Sequence, residues 1–217
     1  LGEYSALVAS GVIAFADAVK LVEMRGQFMQ KAVPAGEGLM AAILGLDDDK
    51  VVEVCQQAAQ GEVVSAVNFN TTGQVVIAGQ KSAVERAMAA LKEAGAKRAL
   101  PLPVSVPSHC ALMKPAADKL AIALEGLAFS APTVPVINNA DVATETDPVA
   151  IKLALVKQLY NPVRWTESVE RMAAEGVEEL LEMGPGKVLT GLTKRIDRAL
   201  GGAAVNDVAS LTAALAK

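Results

Sequence analysis

The chain has 217 residues, 52% hydrophobic but only 3% aromatic, enough for a sizeable Ala/Val/Leu core. Lys and Arg number 20 against 24 Asp and Glu, a net charge of −4, and no basic block or arginine–aromatic interleaving appears, so nucleic acid is excluded as an expected partner. Cys55 and Cys110 form neither a disulfide framework nor a metal-ligand spacing, no uninterrupted apolar run reaches about 18 residues, and no signal peptide is present, so a cytoplasmic protein with no metal and no membrane span is expected.

Residues 3–31 read as two helical stretches divided at Gly11, with Phe15, Val19, Val22 and Phe28 near a 3.6 period. Pro34-Ala35-Gly36-Glu37-Gly38 marks a loop. A strand is predicted at 39–46, then a helix at 47–60 opened by an Asp cluster that suits a positive helix terminus. Strands at 63–70 and 74–79 form a hairpin around Thr71-Thr72-Gly73. Residues 82–94 read as a helix with Ser82 as N-cap, Glu85 completing a capping box and Gly95 ending it. A proline-broken strand at 97–105 closes this segment. The order β-α-β-β-α-β is that of a ferredoxin-like subdomain, read as an insert over 35–105.

Beyond His109 the pattern changes. Residues 111–124 are predicted helical, 134–137 a short strand ending at Asn138-Asn139, and 148–160 and 165–175 helices. A strand at 177–182, a turn at Gly184-Pro185-Gly186 and a helix at 187–200 follow. Strands alternating with helices imply a parallel sheet. This part is expected to pack on the first 31 residues, so 1–34 and 106–217 together form a discontinuous larger α/β domain. Gly184-Pro185-Gly186 before a helix resembles an anion-binding terminus, although a turn is the commoner role.

His109 is the only histidine. Imidazole titrates nearest neutral pH, which makes His109 the candidate general base. Cys110 follows it, but adjacency in sequence does not make a dyad, and Cys55 on an amphipathic helix reads as a small core residue. Arg25 stands among Leu21, Val22, Met24 and Phe28. By composition alone it reads as a solvated helix arginine, since most arginines are exposed. Ser5 falls a turn inside a helix with no base implied and reads as structural.

The opening Leu1-Gly2 before a helix resembles the second half of a nucleophile elbow, Gly-x-Ser-x-Gly, in which the residue after the serine lends its backbone N–H to an oxyanion hole. Several motifs extend this likeness in order: Leu-Gly-Glu-Tyr-Ser-Ala-Leu at 1–7, Val-Glu-Met-Arg-Gly-Gln-Phe-Met-Gln at 22–30 and Val-Pro-Ser-His-Cys-Ala-Leu-Met at 106–113. Gln-Leu-Tyr-Asn-Pro-Val-Arg-Trp at 158–165 and Glu-Met-Gly-Pro-Gly-Lys-Val-Leu at 182–189 complete it. Together they resemble the malonyl-CoA:acyl carrier protein transacylases of bacterial fatty acid synthesis over essentially the whole chain. The resemblance implies an α/β-hydrolase-like core around the ferredoxin-like insert. It also implies ping-pong malonyl transfer through a serine acyl-enzyme, with malonyl-CoA and acyl carrier protein as partners.

The resemblance makes His109 the catalytic base, Gln158 the residue whose main-chain carbonyl orients it, and Leu1 an oxyanion-hole residue. Arg25 becomes the malonyl-carboxylate ligand, Ser108 a pocket residue and Met29 a weaker pocket candidate. No tightly bound cofactor is implied, coenzyme A being substrate and product, and a monomer is expected. The nucleophilic serine is expected immediately before Leu1, outside this sequence, together with the family's first strands. Two alternatives stand beside this reading: a thioesterase-like serine hydrolase, and an inactive module that binds acyl-CoA or carrier protein.

Overall fold

The structure is a computed structural model that describes residues 2–104 and 106–216. It is a mixed α/β fold in two units, one ending at Arg164 and the other beginning at Trp165.

The first unit opens with α1 (Glu3–Ala9) and α2 (Phe15–Ala32). Gly2 caps α1 with φ of 68°, and a Cβ there would meet open space. Glycine is therefore favoured at this position by conformation and not by crowding. Then come β1 (Gly38–Leu44), α3 (Asp48–Ala59), β2 (Val64–Thr71), β3 (Gln74–Gln80), α4 (Lys81–Glu93) and β4 (Arg98–Pro101), in the predicted order. The strands pair antiparallel in the order β4-β1-β3-β2, and a two-residue strand β7 (Val163–Arg164) joins β2 in parallel. At Gly79 a Cβ would lie 2.0 Å from the Val63 carbonyl oxygen, so β2 and β3 meet there only because the side chain is missing.

Alternation along the strands explains why this sheet is buried on both faces. Ala41 and Ile43 of β1 and Val75 and Ile77 of β3 face Val51, Val54 and Cys55 of α3 and Val84, Ala87 and Leu91 of α4. Met40, Val67, Val76 and Ala78 turn the other way and form a second cluster with Cys110. That cluster anchors the segment carrying His109 against the sheet. Cys55 and Cys110 are both free and buried, and burial pushes their thiols up to about 12 and about 11, so neither is a ready nucleophile.

The expected Ser82 cap is absent. Gln80 is the N-cap of α4 and makes no side-chain cap, its Oε1 accepting from the Val63 N–H instead. The Ser82 hydroxyl donates to Glu62 at 2.6 Å, and Ser82 cannot cap because α4 begins at Lys81 and leaves it two residues past the cap.

A second core joins α1 and α2 to α5 (Lys114–Glu125) and α6 (Pro148–Lys157) through Leu7, Leu21, Leu120, Leu124, Leu155 and Leu159. Each such leucine contributes roughly 1.5–3 kcal/mol on burial. Residues 111–113 form a 3-10 turn ahead of α5, so the helix predicted from 111 starts at Lys114. The strand predicted at 134–137 shrinks to β5 (Ile137–Asn138), paired with β6 (Ala143–Thr144). Pro132 and Pro135 bracket an exposed Val134 and cannot donate to a ladder.

The second unit contains α7 (Trp165–Ala174), β8 (Glu179–Met183), α8 (Val188–Ile196), β9 (Gly201–Val205) and α9 (Val208–Leu215). The parallel pairing expected of this half is present between β8 and β9. Helix α8 stops at Ile196 and not at 200, because Asp197 leaves helical geometry and its carboxylate accepts the Ala199 N–H. Strand β9 was not predicted, since it opens on Gly201-Gly202 and glycine is depleted in strands.

Candidate active site

The end of α6 holds the imidazole. A helix leaves its last carbonyls without intrahelical partners. Here the Leu159 carbonyl accepts the His109 backbone N–H at 3.0 Å, and the Gln158 carbonyl meets His109 Nδ1 at 2.8 Å. A carbonyl only accepts, which assigns the proton to Nδ1 and leaves the lone pair on Nε2. His109 sits at φ of 65°, a left-handed conformation sparsely populated outside glycine. Backbone strain of this kind is concentrated at functional sites. Burial pushes the imidazole down to about 4, the Gln158 carbonyl pulls it partly back, and the Arg25 charge depresses it further. His109 is therefore neutral at pH 7.

Gln158, buried as the C-cap of α6, is the node of the site. Its Oε1 accepts from Arg25 Nη2 at 3.1 Å, and its Nε2 donates to Glu3 Oε2 at 2.6 Å. Arg25 projects from α2 with its guanidinium 5.9 Å from the Tyr4 ring centroid. Arg25 Nε is buried and makes no hydrogen bond among the described residues, while the Tyr4 hydroxyl lies against the Arg25 guanidinium. An unpaired buried donor is rare and costly, which marks Arg25 Nε as a donor open to an acceptor. Burial also pushes the Tyr4 hydroxyl up to about 12, so it stays a donor at any physiological pH.

Of the residues singled out in the sequence, His109, Gln158 and Arg25 are brought together by direct bonds. Ser108 is half-buried next to His109, its hydroxyl turned to the Val106 carbonyl at 3.5 Å. Met29 is buried in the helical core one turn beyond Arg25. Ser5 is exposed on α1, in keeping with a structural role. Leu1 lies outside the described residues. The Gly184-Pro185-Gly186 turn is no open anion site, because Glu182 already accepts the Thr190 N–H and hydroxyl at 2.7 and 2.8 Å in the first turns of α8. Among the described residues no group of three or more His, Cys, Asp or Glu could hold a metal ion, and no helix is long and apolar enough to cross a membrane.

The model of the acyl transferase domain family matches residues 1–212. A malonyl CoA-acyl carrier protein transacylase of Salmonella typhimurium is 70% identical over 215 residues, covering 99% of this chain and 70% of the relative. The chain belongs to the acyl transferase family, among the malonyl CoA-acyl carrier protein transacylases. The crystal structure of an acyl carrier protein S-malonyltransferase from Vibrio cholerae superposes on this acyl transferase with a TM-score of 0.97 at 72% identity, covering 98% of this chain and 70% of that one. A malonyl-transacylase solved in complex with its type II polyketide acyl carrier protein gives 0.97 at 64% identity, with 99% and 69% covered.

Sequence reasoning missed Glu3 and Tyr4 of this acyl transferase. An acidic residue in the first turn of a helix reads as a solvated complement to the helix dipole. Glu3 is instead 7% exposed and bonded to a residue 155 positions away. Nothing local in the sequence signals that.

Proposed function

We propose that the protein transfers a malonyl group from malonyl-CoA to the phosphopantetheine thiol of an acyl carrier protein, at the start of fatty acid synthesis. The observation that carries this reading is the convergence on Gln158: its main chain orients a neutral base, and its side chain holds an arginine that still has an unpaired buried donor. The names of the relatives favour transfer over the hydrolase and inactive-module alternatives.

In the proposed reaction, a serine hydroxyl attacks the thioester carbonyl of malonyl-CoA. The family pattern puts that serine directly before Leu1, and the left-handed Gly2 that opens α1 supports such an elbow. His109 Nε2 takes the hydroxyl proton as the Ser–acyl bond forms, and returns it to the coenzyme A thiolate as the thioester C–S bond breaks. The carrier thiol then attacks the serine ester, passing its proton through His109 to the departing serine oxygen. The Leu1 N–H contributes to the oxyanion hole, and Ser108 and Met29 border the acyl group.

Arg25 selects the substrate. Malonyl carries a carboxylate that acetyl lacks, and the free Arg25 donor can donate to it in a charge-assisted pair. That pairing also screens the positive charge that depresses His109, so substrate makes the base stronger. No tightly bound cofactor takes part, and the protein works as a cytoplasmic monomer. The β4-β1-β3-β2 sheet under α3 and α4 supports a ferredoxin-like subdomain over 35–105. Residues 1–34 and 106–217 are read as the larger, α/β-hydrolase-like domain.

The test is Arg25→Ala in the full-length protein, with malonyl and acetyl transfer to a pantetheine thiol measured side by side. Malonyl transfer is expected to fall about a hundredfold or more while acetyl transfer changes by less than about threefold. Equal losses for the two acyl groups would refute the carboxylate role.

A further inference from the structure

We propose that Glu3 is a positioning residue that sets the substrate selectivity of Arg25 by fixing which way the Gln158 side-chain amide faces. The proposal rests on the transacylase reading above.

A primary amide has two nearly isosteric orientations, and its neighbours decide between them. At Gln158 those neighbours are Arg25 on one side and Glu3 on the other. An arginine can only donate and an ionised carboxylate can only accept. With Nε2 on Glu3 and Oε1 on Arg25 both contacts are favourable. Flipped, the amide would set donor against guanidinium and oxygen against carboxylate, so both would be repulsive. Glu3 therefore makes Gln158 an acceptor for Arg25, which ties Nη2 to the protein. Nε remains the buried donor without a partner. Without Glu3, Arg25 alone holds the amide in that orientation, Nε2 is left buried without its acceptor, and the brace on the guanidinium weakens.

The seat of Glu3 is built for this purpose and not for capping its own helix. It is 7% exposed, and its carboxylate faces the Asn139 backbone as well as Gln158. The Asn139 backbone is set by a turn in which Asn138 Oδ1 accepts the Asp141 N–H at 2.8 Å and Nδ2 donates to the Ala143 carbonyl at 3.1 Å. Burial raises the Glu3 carboxyl, and the Gln158 bond, the Asn139 backbone and the Arg25 charge oppose that rise. His109 hangs from the main-chain oxygen of Gln158 and not from its side chain, so the imidazole keeps its partner when the amide turns. Loss of Glu3 should thus weaken carboxylate recognition and leave proton transfer in place.

The experiment compares Glu3→Leu and Glu3→Gln with the unmodified full-length protein, reading kcat and KM for malonyl-CoA and acetyl-CoA with a pantetheine thiol as acceptor. Glu3→Leu should raise KM for malonyl-CoA about tenfold or more, with acetyl kinetics within about threefold. Glu3→Gln should recover malonyl KM to within about threefold, because its carbonyl can accept from Gln158 Nε2. Equal losses for both acyl groups would reduce Glu3 to a structural residue. Glu3→Gln behaving like Glu3→Leu, or Glu3→Leu keeping full malonyl selectivity, would also overturn the proposal. The two readings fail differently: an unmodified protein that does not prefer malonyl to acetyl sinks the transacylase reading and this proposal together. A preference abolished by Arg25→Ala but untouched by Glu3→Leu sinks this proposal alone.

Discussion

Acid should destabilise the fold through His109, and the size of the effect follows from its burial. The free imidazole titrates at 6.5 and the folded one at about 4. That gap corresponds to about 3 kcal/mol of differential proton binding. The folded value lies below the unfolded one, so as pH falls the unfolded chain takes up the proton first. The contribution of His109 is therefore complete above about pH 6.5 and is lost progressively towards pH 4. His109→Asn removes the titration while tolerating the left-handed backbone better than most side chains would. Urea unfolding followed by circular dichroism, from pH 7.5 down to 4, gives the stability of each protein. Groups other than His109 titrate in both and cancel in the difference. That difference should shrink by about 3 kcal/mol over the range. Parallel stability curves would show that burial of the imidazole is not what controls its proton. The same depression predicts that the acid limb of kcat/KM lies well below 6.5, and a limb centred at 6.5 would contradict it.

Other perturbations separate crowding, conformation and hydrogen bonding. Gly79→Ala forces a Cβ to within 2.0 Å of the Val63 carbonyl and should cost about 2–3 kcal/mol in thermal or urea unfolding. Gly26→Ala, inside α2 with open space at its Cβ, should instead stabilise by about 0.5–1 kcal/mol; a loss there would contradict the open surface. Arg86→Met removes donors from the Ala58 and Ala59 carbonyls at the end of α3 and should cost about 1–2 kcal/mol. Ser82→Ala should cost less than about 0.5 kcal/mol, because Ser82 is exposed and caps no helix. A larger loss at Ser82 than at Arg86 would restore the capping box that the structure removes.

Local signals carried much of the architecture. The short runs at 39–46 and 74–79, the Asp cluster at 47 and the Thr71-Thr72-Gly73 turn depend on residues a few positions apart, and they delivered β1, α3 and the β2–β3 hairpin nearly in place. His109, Arg25 and Gln158 were legible for a related reason, since each stands in a distinctive local motif. Where local signals misled, a side chain had found another partner or the local composition hid or broke the strand. Ser82 went to Glu62, prolines starved the strand at 134–137, and the glycines of β9 disguised a strand that pairs with β8. The candidate site was decided by tertiary structure. Glu3, Arg25, His109 and Gln158 come from the two ends and the middle of the first unit, and their bonds span up to 155 positions. Sequence pattern records the period of an element, which sets its own conformation. It does not record which orphan carbonyl or which face of an amide a distant side chain will meet, and those meetings set the tautomer of His109, the brace on Arg25 and the role of Glu3.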